Sequence, residues 1–292
     1  MRGQDFIESA ISDFESFYVN GFKIQREYLL GIGLKISGSN EQQKLTIPID
    51  FADMELETDE LKFYALLLIG HELSHYINKH NYHIDNSDTE TKALEMWADF
   101  FGSVIAMSIF ILGEKTKSLF SFNPFINKEK GLKTIIDSYE YIYPVFKNTD
   151  NSDKYEHSSE RLITLQSGIV SFLVRYEIAK KILDNDTNDL AGVYFKYSKA
   201  WALEFAKLTF TSPSLMEIVE IRDDLSKKDL KRLEERKNIV NKIHIKLMNN
   251  NLEITSGIHP QLRWILGTDY IRPDIEYKSR KHAEKLADNT YM

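Results

Sequence analysis

The sequence predicts an α+β fold that is predominantly helical, with a small N-terminal β-hairpin or sheet. Apolar residues recur at helical spacing nearly everywhere after residue 58, whereas two short stretches before it are apolar or alternating, as strands are. The composition, 42% hydrophobic and 28% charged over 292 residues, is typical of an ordered globular chain. We expect a core over 1–185 and a helical C-terminal extension packed on it over 186–292, as two domains or one continuous domain.

The N-terminal region predicts one amphipathic helix and one hairpin. Apolar residues at helical spacing, with acidic residues between them, predict the helix over 5–19. The strands are expected at 29–36 and 44–51, because the turn-rich SGSNEQQ lies between two short apolar runs. Pro48 has no N–H to donate to a neighbouring strand, so its strand is expected at the edge of the sheet.

The rest of the chain predicts a succession of helices. Ser87, with Glu90 three residues later, forms a capping box that marks the start of one of them. Helices are expected at about 59–80, 88–112, 128–146, 158–183, 190–209, 214–225 and 226–249.

Charge and cysteine content disfavour several classes of function. The chain has 44 acidic and 37 basic residues, a net charge of −7, which argues against a general nucleic-acid or anionic-membrane binder. Basic residues over 227–237 are interleaved with acidic ones and lack accompanying aromatic residues, so they do not indicate nucleic-acid binding. Cysteine is absent, which excludes disulfides, thiolate metal sites and cysteine nucleophiles. A metal would have to be bound by histidine and carboxylate.

A cytoplasmic location without a membrane span is expected. The first residues, MRGQDFIESAISDF, carry acidic side chains where a signal peptide needs an apolar core. The longest uncharged run, 100–113, is shorter than the roughly 20 residues of a membrane-spanning helix, and it is expected to be a buried core helix.

Residues 71–75 read His-Glu-Leu-Ser-His inside an apolar helical stretch. Residues four apart lie on one helix face, so His71 and His75 can both bind one Zn²⁺. Glu72 would lie beside that metal, where it can take a proton from an activated water and return it to a leaving amine during peptide hydrolysis. The alternative is a pair of histidines packed in a core, but an apolar helix carries such polar groups at a cost unless something compensates them.

Glu95 is the candidate third ligand, since a catalytic zinc has three protein ligands and one open position. It follows His75 by 20 residues on the next predicted helix, an interval that accommodates a helix end, a turn and a return. Asp99, one turn later on the same face, could accept the second ring N–H of a ligating histidine. The alternative is that both acidic residues are solvated helix positions. Asparagine at 78 and 81 excludes the metzincin pattern.

At these residues the sequence resembles the gluzincin metallopeptidases. The HELSH motif and the later Glu95-Met-Trp-Ala-Asp99 are similar to the CAAX-prenyl and heat-shock zinc peptidases. They are still more similar to soluble relatives such as the phage-exclusion protease Lit and the ImmA/IrrE-type regulators. The resemblance covers residues 60–112; it implies a zincin-like catalytic core, Zn²⁺ as cofactor and, by analogy alone, phage defence. It also implies zinc ligation by His71, His75 and Glu95, catalysis by Glu72 and orientation of a ligand by Asp99.

Such families often carry a later His-Pro element followed by Glu-Arg-Leu. His157-Ser-Ser-Glu-Arg161-Leu keeps the Glu-Arg-Leu without the proline, and His259-Pro-Gln-Leu-Arg263 keeps the proline without the glutamate. Either histidine, or a tyrosine, could donate a hydrogen bond to the oxyanion of peptide hydrolysis, with helix capping as the alternative role for both histidines. The histidines without a partner pattern are expected at the surface: His80, His83, His244 and His282.

The predicted function is zinc-dependent endoproteolysis of an intracellular peptide or protein. The strand over 45–51 is expected to bind an extended substrate along its edge, unless it is a plain scaffold hairpin. A rival prediction is a regulatory or toxin-like zinc-binding module whose proteolysis is absent or held off by a protein partner. Glu72 favours catalysis, because a structural zinc site does not need it.

Overall fold

The computed structural model describes residues 1–18, 22–38, 42–83, 87–124, 126–183 and 239. The N-terminal elements are α1 (Gly3–Ser16), β1 (Arg26–Leu29), β2 (Lys35–Ser37), β3 (Lys44–Pro48) and α2 (Ile49–Asp53). There follow α3 (Asp59–Asn78), a 3₁₀ turn (His80–Tyr82), α4 (Asp88–Leu112), α5 (Glu114–Ser118), α6 (Lys128–Asp137), α7 (Tyr139–Lys147) and α8 (Ser158–Leu183). The described chain is mostly helical with one small sheet, which confirms the predicted class at this level.

The helices predicted before residue 184 are found close to their expected bounds, with three differences. The helix predicted over 5–19 is found at Gly3–Ser16, the helix predicted to reach residue 80 ends at Asn78, and the stretch 128–146 forms α6 and α7. These two helices are divided at Ser138, whose hydroxyl donates a hydrogen bond to the carbonyl of Ile135. The helices predicted from residue 190 onward lie outside the described residues, as do His244, His259 and His282. Ile239, the one described residue beyond α8, is helical and packs against the core.

The three-stranded sheet has the order β1–β3–β2, with β1 parallel and β2 antiparallel to β3. The prediction of an edge position for the Pro48 strand is wrong, because β3 is central; Pro48 is its last residue, so the ring interrupts no continuing ladder. The strand predicted over 29–36 is wrong in extent, since Gly31, with φ of 68°, lies in a turn between β1 and β2. The hairpin exists in shorter form, pairing 35–37 with 44–46. The exposed edge beside α3 therefore belongs to β2, and the expectation of substrate binding along 45–51 does not hold.

The helix α4 packs between α3 and α8 at the centre of the fold. Gly70 of α3 meets Gly102 of α4, and a Cβ atom on Gly102 would lie only 2.6 Å from the Cα atom of His71. A Cβ atom on Gly168 of α8 would likewise lie 2.1 Å from a backbone oxygen of α4. These glycines let the three helix backbones approach closely, which places the His-Glu-Leu-Ser-His turn against the middle of α4.

One helix in the described part of the chain, α4, is long and apolar enough to span a membrane. Within its most apolar stretch, 83% of the residues are buried inside the fold. Burial of this kind is what the core helix of a globular protein shows, in line with the predicted core helix over 100–113.

Candidate metal centre

Three side chains from two helices meet at one point, as predicted. His71 and His75 lie one turn apart on α3, and Glu95 lies on the facing turn of α4. The Nε2 atoms of the two histidines are 3.1 Å apart, and Glu95 Oε2 lies 3.2 Å from His71 Nε2 and 3.4 Å from His75 Nε2. The three atoms form a nearly equilateral triangle.

The triangle has the dimensions of three corners of a zinc coordination tetrahedron. Metal–ligand bonds of roughly 2.0–2.1 Å in tetrahedral geometry put neighbouring ligand atoms about 3.3–3.4 Å apart. Glu95 Oε2 is buried and has no well-directed hydrogen bond, although it faces two imidazole nitrogens. The three ligand atoms lie close enough together that these residues could hold a metal ion.

Asp99 orients His71, as predicted. Its Oδ1 atom lies 2.9 Å from His71 Nδ1, so the ring can donate Nδ1–H to the carboxylate and leave its Nε2 lone pair for a metal. Arg161 of α8 then binds the same carboxylate through two hydrogen bonds, 2.8 Å from Nε to Oδ2 and 3.0 Å from Nη2 to Oδ1. The guanidinium lies over the rings of Phe146 and Tyr155, at 3.9 and 4.5 Å from their centroids. A chain of buried contacts therefore connects α8 to the candidate ligand.

Two histidines expected at the surface lie at this site instead. His80 is 5% exposed, and its Nδ1 atom lies 2.8 Å from Nδ1 of His75. His83 Nε2 lies 2.9 Å from Glu90 Oε2. The predicted capping box is therefore only half formed. The hydroxyl of Ser87 accepts a hydrogen bond from the backbone N–H of Glu90, but the carboxylate of Glu90 pairs with His83. Both histidines come just after α3, where periodicity no longer indicates which way a side chain points.

A cavity of about 280 Å³ opens beside the triangle, and Glu72 lines it. Burial raises the pKa of Glu72, while the positive charges of His71 and His75 and a hydrogen bond from the backbone of Ile36 act in the opposite direction. Ile36 belongs to β2, so the edge strand of the sheet forms one wall of the cavity. The remaining lining residues come from β2, α4, the 3₁₀ turn and the loops: Leu34, Lys35, His80, Asn81, His83, Thr91, Leu94 and Tyr155.

The ionisable groups of the triangle stabilise one another. Burial alone would raise the pKa of Glu95, but the neighbouring His75 and His71 hold it well below its usual range. Burial would lower the pKa of His71, yet the hydrogen bond to Asp99 and the negative charges of Asp99 and Glu95 outweigh it and raise that pKa to about 10. Arg161 keeps the pKa of Asp99 below its usual value against the effect of burial. Glu72 and Glu95, in one cavity, thus have pKa values shifted in opposite directions.

The predicted oxyanion donor His157 does not lie among the residues that line the cavity. Its side chain is 52% exposed, with Nδ1 at 2.9 Å from Ser159 Oγ and Nε2 at 3.5 Å from Asp150 Oδ2. Asp150 also accepts hydrogen bonds from the backbone and the hydroxyl of Ser158 at the start of α8. His157 therefore belongs to the helix-capping cluster that was the alternative. Tyr155, two residues earlier, lines the cavity in its place.

The sequence signal for this second half of the site was the Glu-Arg-Leu stretch. This stretch lies in the segment that reaches the site, but the residues that make the contact are Arg161, which binds Asp99, and Tyr155, which lines the cavity. No sequence pattern assigned a role to either residue. Neither position has a spacing that fixes its direction relative to α3. His259 lies outside the described residues.

Comparison with known proteins gives no relative: no family model, no curated protein and no solved structure matches this chain.

Proposed function

We propose that this chain is a zinc-dependent endopeptidase of the gluzincin type, acting on a cytoplasmic peptide or protein. The observation that carries the proposal is the triangle of His71, His75 and Glu95, with edges of 3.1–3.4 Å, beside the Glu72 cavity. Three protein ligands, an open side and an adjacent carboxylate fit a catalytic zinc site better than a structural one, which fills its fourth position with protein.

The charges at the site support a divalent cation. Glu72, Glu95 and Asp99 contribute three carboxylates, against which Arg161 contributes one buried positive charge. Three negative charges and one positive charge leave −2 when both histidines are neutral. A divalent cation balances that charge, and zinc accepts this combination of nitrogen and oxygen ligands.

Bound zinc would supply Lewis acidity toward a water and toward a carbonyl oxygen. Glu72 would take the proton of the attacking water and deliver it to the leaving amine. His71 and Asp99 keep one ligand fixed in orientation throughout.

Tyr155 is the residue we assign to the scissile carbonyl oxygen. The negative charge of Glu95 and partial burial raise its pKa to about 12, so its hydroxyl remains a hydrogen-bond donor at neutral pH. The substrate backbone would lie along the outer edge of β2, whose residues form part of the cavity wall.

The proposal is tested with metal-stripped and zinc-loaded protein and a mixture of peptides whose new termini are read by mass spectrometry. Wild type should bind one zinc and cut; Glu72→Gln should bind zinc equally well and not cut, since the amide keeps the shape without the base. Glu60→Gln, on the same helix about three turns away, is the matched control and should cut like wild type. Zinc binding without cleavage by wild type would favour the regulatory-module alternative, and no zinc binding would refute both.

A further inference from the structure

His80 reaches the metal centre through an unusual turn at the end of α3. Lys79 adopts the left-handed conformation, with φ of 54° and ψ of 38°, and is the one non-glycine residue with positive φ in the described part of the chain. Such a conformation is disfavoured for residues with a Cβ atom. Here it reverses the chain direction, so that the ring of His80 lies 4.8 Å from the ring of His75, centroid to centroid.

The direction of the hydrogen bond between these rings follows from the geometry of the triangle. His75 presents Nε2 to His71 and Glu95, so a metal bound there needs the lone pair of that nitrogen and leaves the proton on Nδ1. The contact of 2.8 Å between the two Nδ1 atoms is then a donation from His75 to His80. His80 accepts it as a neutral imidazole whose own proton is on Nε2.

The two candidate histidine ligands are therefore oriented by different acceptors. His71 donates to Asp99, a carboxylate fixed by Arg161, whereas His75 donates to a neutral ring. A neutral acceptor fixes the tautomer without adding a further negative charge to a site that already holds three carboxylates. His80 is 5% exposed, so water has little access with which to replace it as the acceptor.

We propose that His80 is a positioning residue: it holds His75 in the Nδ1–H tautomer and in the ring orientation that presents Nε2 to the metal, and so determines how tightly the site binds a divalent cation. This inference rests on the metal binding in the proposed function and is independent of peptide hydrolysis.

The test compares His80→Asn with His80→Leu, two side chains of nearly equal shape. The Asn side-chain oxygen can occupy the place of His80 Nδ1 and accept the hydrogen bond, while Leu has no acceptor. Zinc affinity is measured on the full chain by competition with a chelator, with the unfolding temperature of each metal-free variant measured alongside. His80→Leu should weaken zinc binding roughly 10- to 100-fold, the usual size of such effects, and His80→Asn by less than about tenfold.

His157→Leu is the matched control, because the side chain of His157 is 52% exposed and contacts Ser159 and Asp150 rather than a candidate ligand; it should bind zinc like wild type. Equal losses of affinity in the Asn and Leu variants, or an unchanged affinity in the Leu variant, would overturn the inference while leaving the proposed function intact. Wild type that binds no zinc would overturn both. If His80→Leu does not fold, His80→Ser replaces it, since its hydroxyl is too short to reach His75.

Discussion

Glu95 and Asp99 lie one helical turn apart on α4 and have different tasks, which substitution can separate. Glu95 Oε2 faces the Nε2 atoms of both imidazoles. Asp99 instead contacts Nδ1 of His71, which points away from the triangle, and the guanidinium of Arg161. Glu95→Gln should abolish stable zinc binding, because an amide is a poor zinc ligand. Asp99→Asn should keep binding but weaken it roughly 10- to 100-fold. Isothermal titration with zinc measures both, and equal, negligible effects would mean that this face of α4 does not serve the metal.

Tyr155 offers a prediction that separates chemistry from binding. Tyr155→Phe removes one hydroxyl from the cavity wall and leaves the triangle untouched, so zinc affinity should stay at the wild-type value. Loss of a donor to the oxyanion typically lowers kcat about 10²- to 10³-fold with little change in KM. Steady-state kinetics on a cleaved peptide test this. His157→Ala, at the helix-capping cluster, is the comparison; a larger loss of kcat there than in Tyr155→Phe would return the role to His157.

At the residue scale, the sequence was most informative where one helix fixes the geometry. The spacing of His71 and His75 determines that they share a helix face, and Glu95 and Asp99 follow from the same rule once α4 faces α3. His80 and Tyr155 could not be placed this way, because their directions depend on the left-handed turn at Lys79 and on the loop before α8.

At the element scale, the crossing of α3 and α4 brings the candidate metal ligands together, and glycine permits this crossing. A Cβ atom on Gly102 would lie 2.6 Å from both the Cα and the N atom of His71, so Gly102→Ala must move the α3 backbone that carries a ligand. We expect overpacking to cost about 1–3 kcal/mol of unfolding free energy and to weaken zinc binding as well. Gly33→Ala is the control, because nothing lies within 4 Å of the added methyl group there. Denaturant unfolding and zinc titration of the pair check the prediction, and equal stability would show that the crossing tolerates a side chain.

The helices predicted over 59–80, 88–112 and 158–183 are found within two residues of their expected bounds, because periodicity and caps are local. The backbone N–H of Leu61, which donates a hydrogen bond to the hydroxyl of Thr58 at the start of α3, is an example of such a cap. Strand order, by contrast, depends on the path of the chain over many residues and cannot be predicted from local sequence. The parallel pairing of β1 with β3 arises from a chain path that passes through the Gly31 turn and places β2 on the other side. Pro48 has no N–H to donate to a neighbouring strand, and for this reason it indicated an edge strand. Because it is the last residue of β3, the missing N–H is tolerated in a central strand.

At the scale of the whole molecule, metal binding should stabilise the fold, because the triangle joins α3 to α4 and Asp99 joins both to α8 through Arg161. A ligand at 100 times its dissociation constant adds about 2.7 kcal/mol. For a chain of 292 residues we expect the unfolding temperature to rise by roughly 4–5 °C. Calorimetry with zinc and with a chelator measures the shift. His71→Ala should show none, and an equal shift in that variant would indicate zinc binding elsewhere.

This stabilisation by zinc should grow with pH. In the metal-free protein the pKa of His71 is raised to about 10 by its contacts with Asp99 and Glu95. The ion pairs with these two residues therefore contribute fully to the free energy of unfolding below the ordinary histidine pKa of about 6.5. Their contribution is lost as the pH rises toward 10. Zinc binds the neutral ring and must displace that proton, which opposes binding at low pH and ceases to do so as the pH approaches 10. The zinc-induced rise in unfolding temperature should therefore be larger at pH 8.5 than at pH 6.5.

Titration calorimetry in buffers of different ionisation enthalpy should show proton release on zinc binding at pH 7, and release of no proton would mean that His71 is already neutral in the metal-free protein.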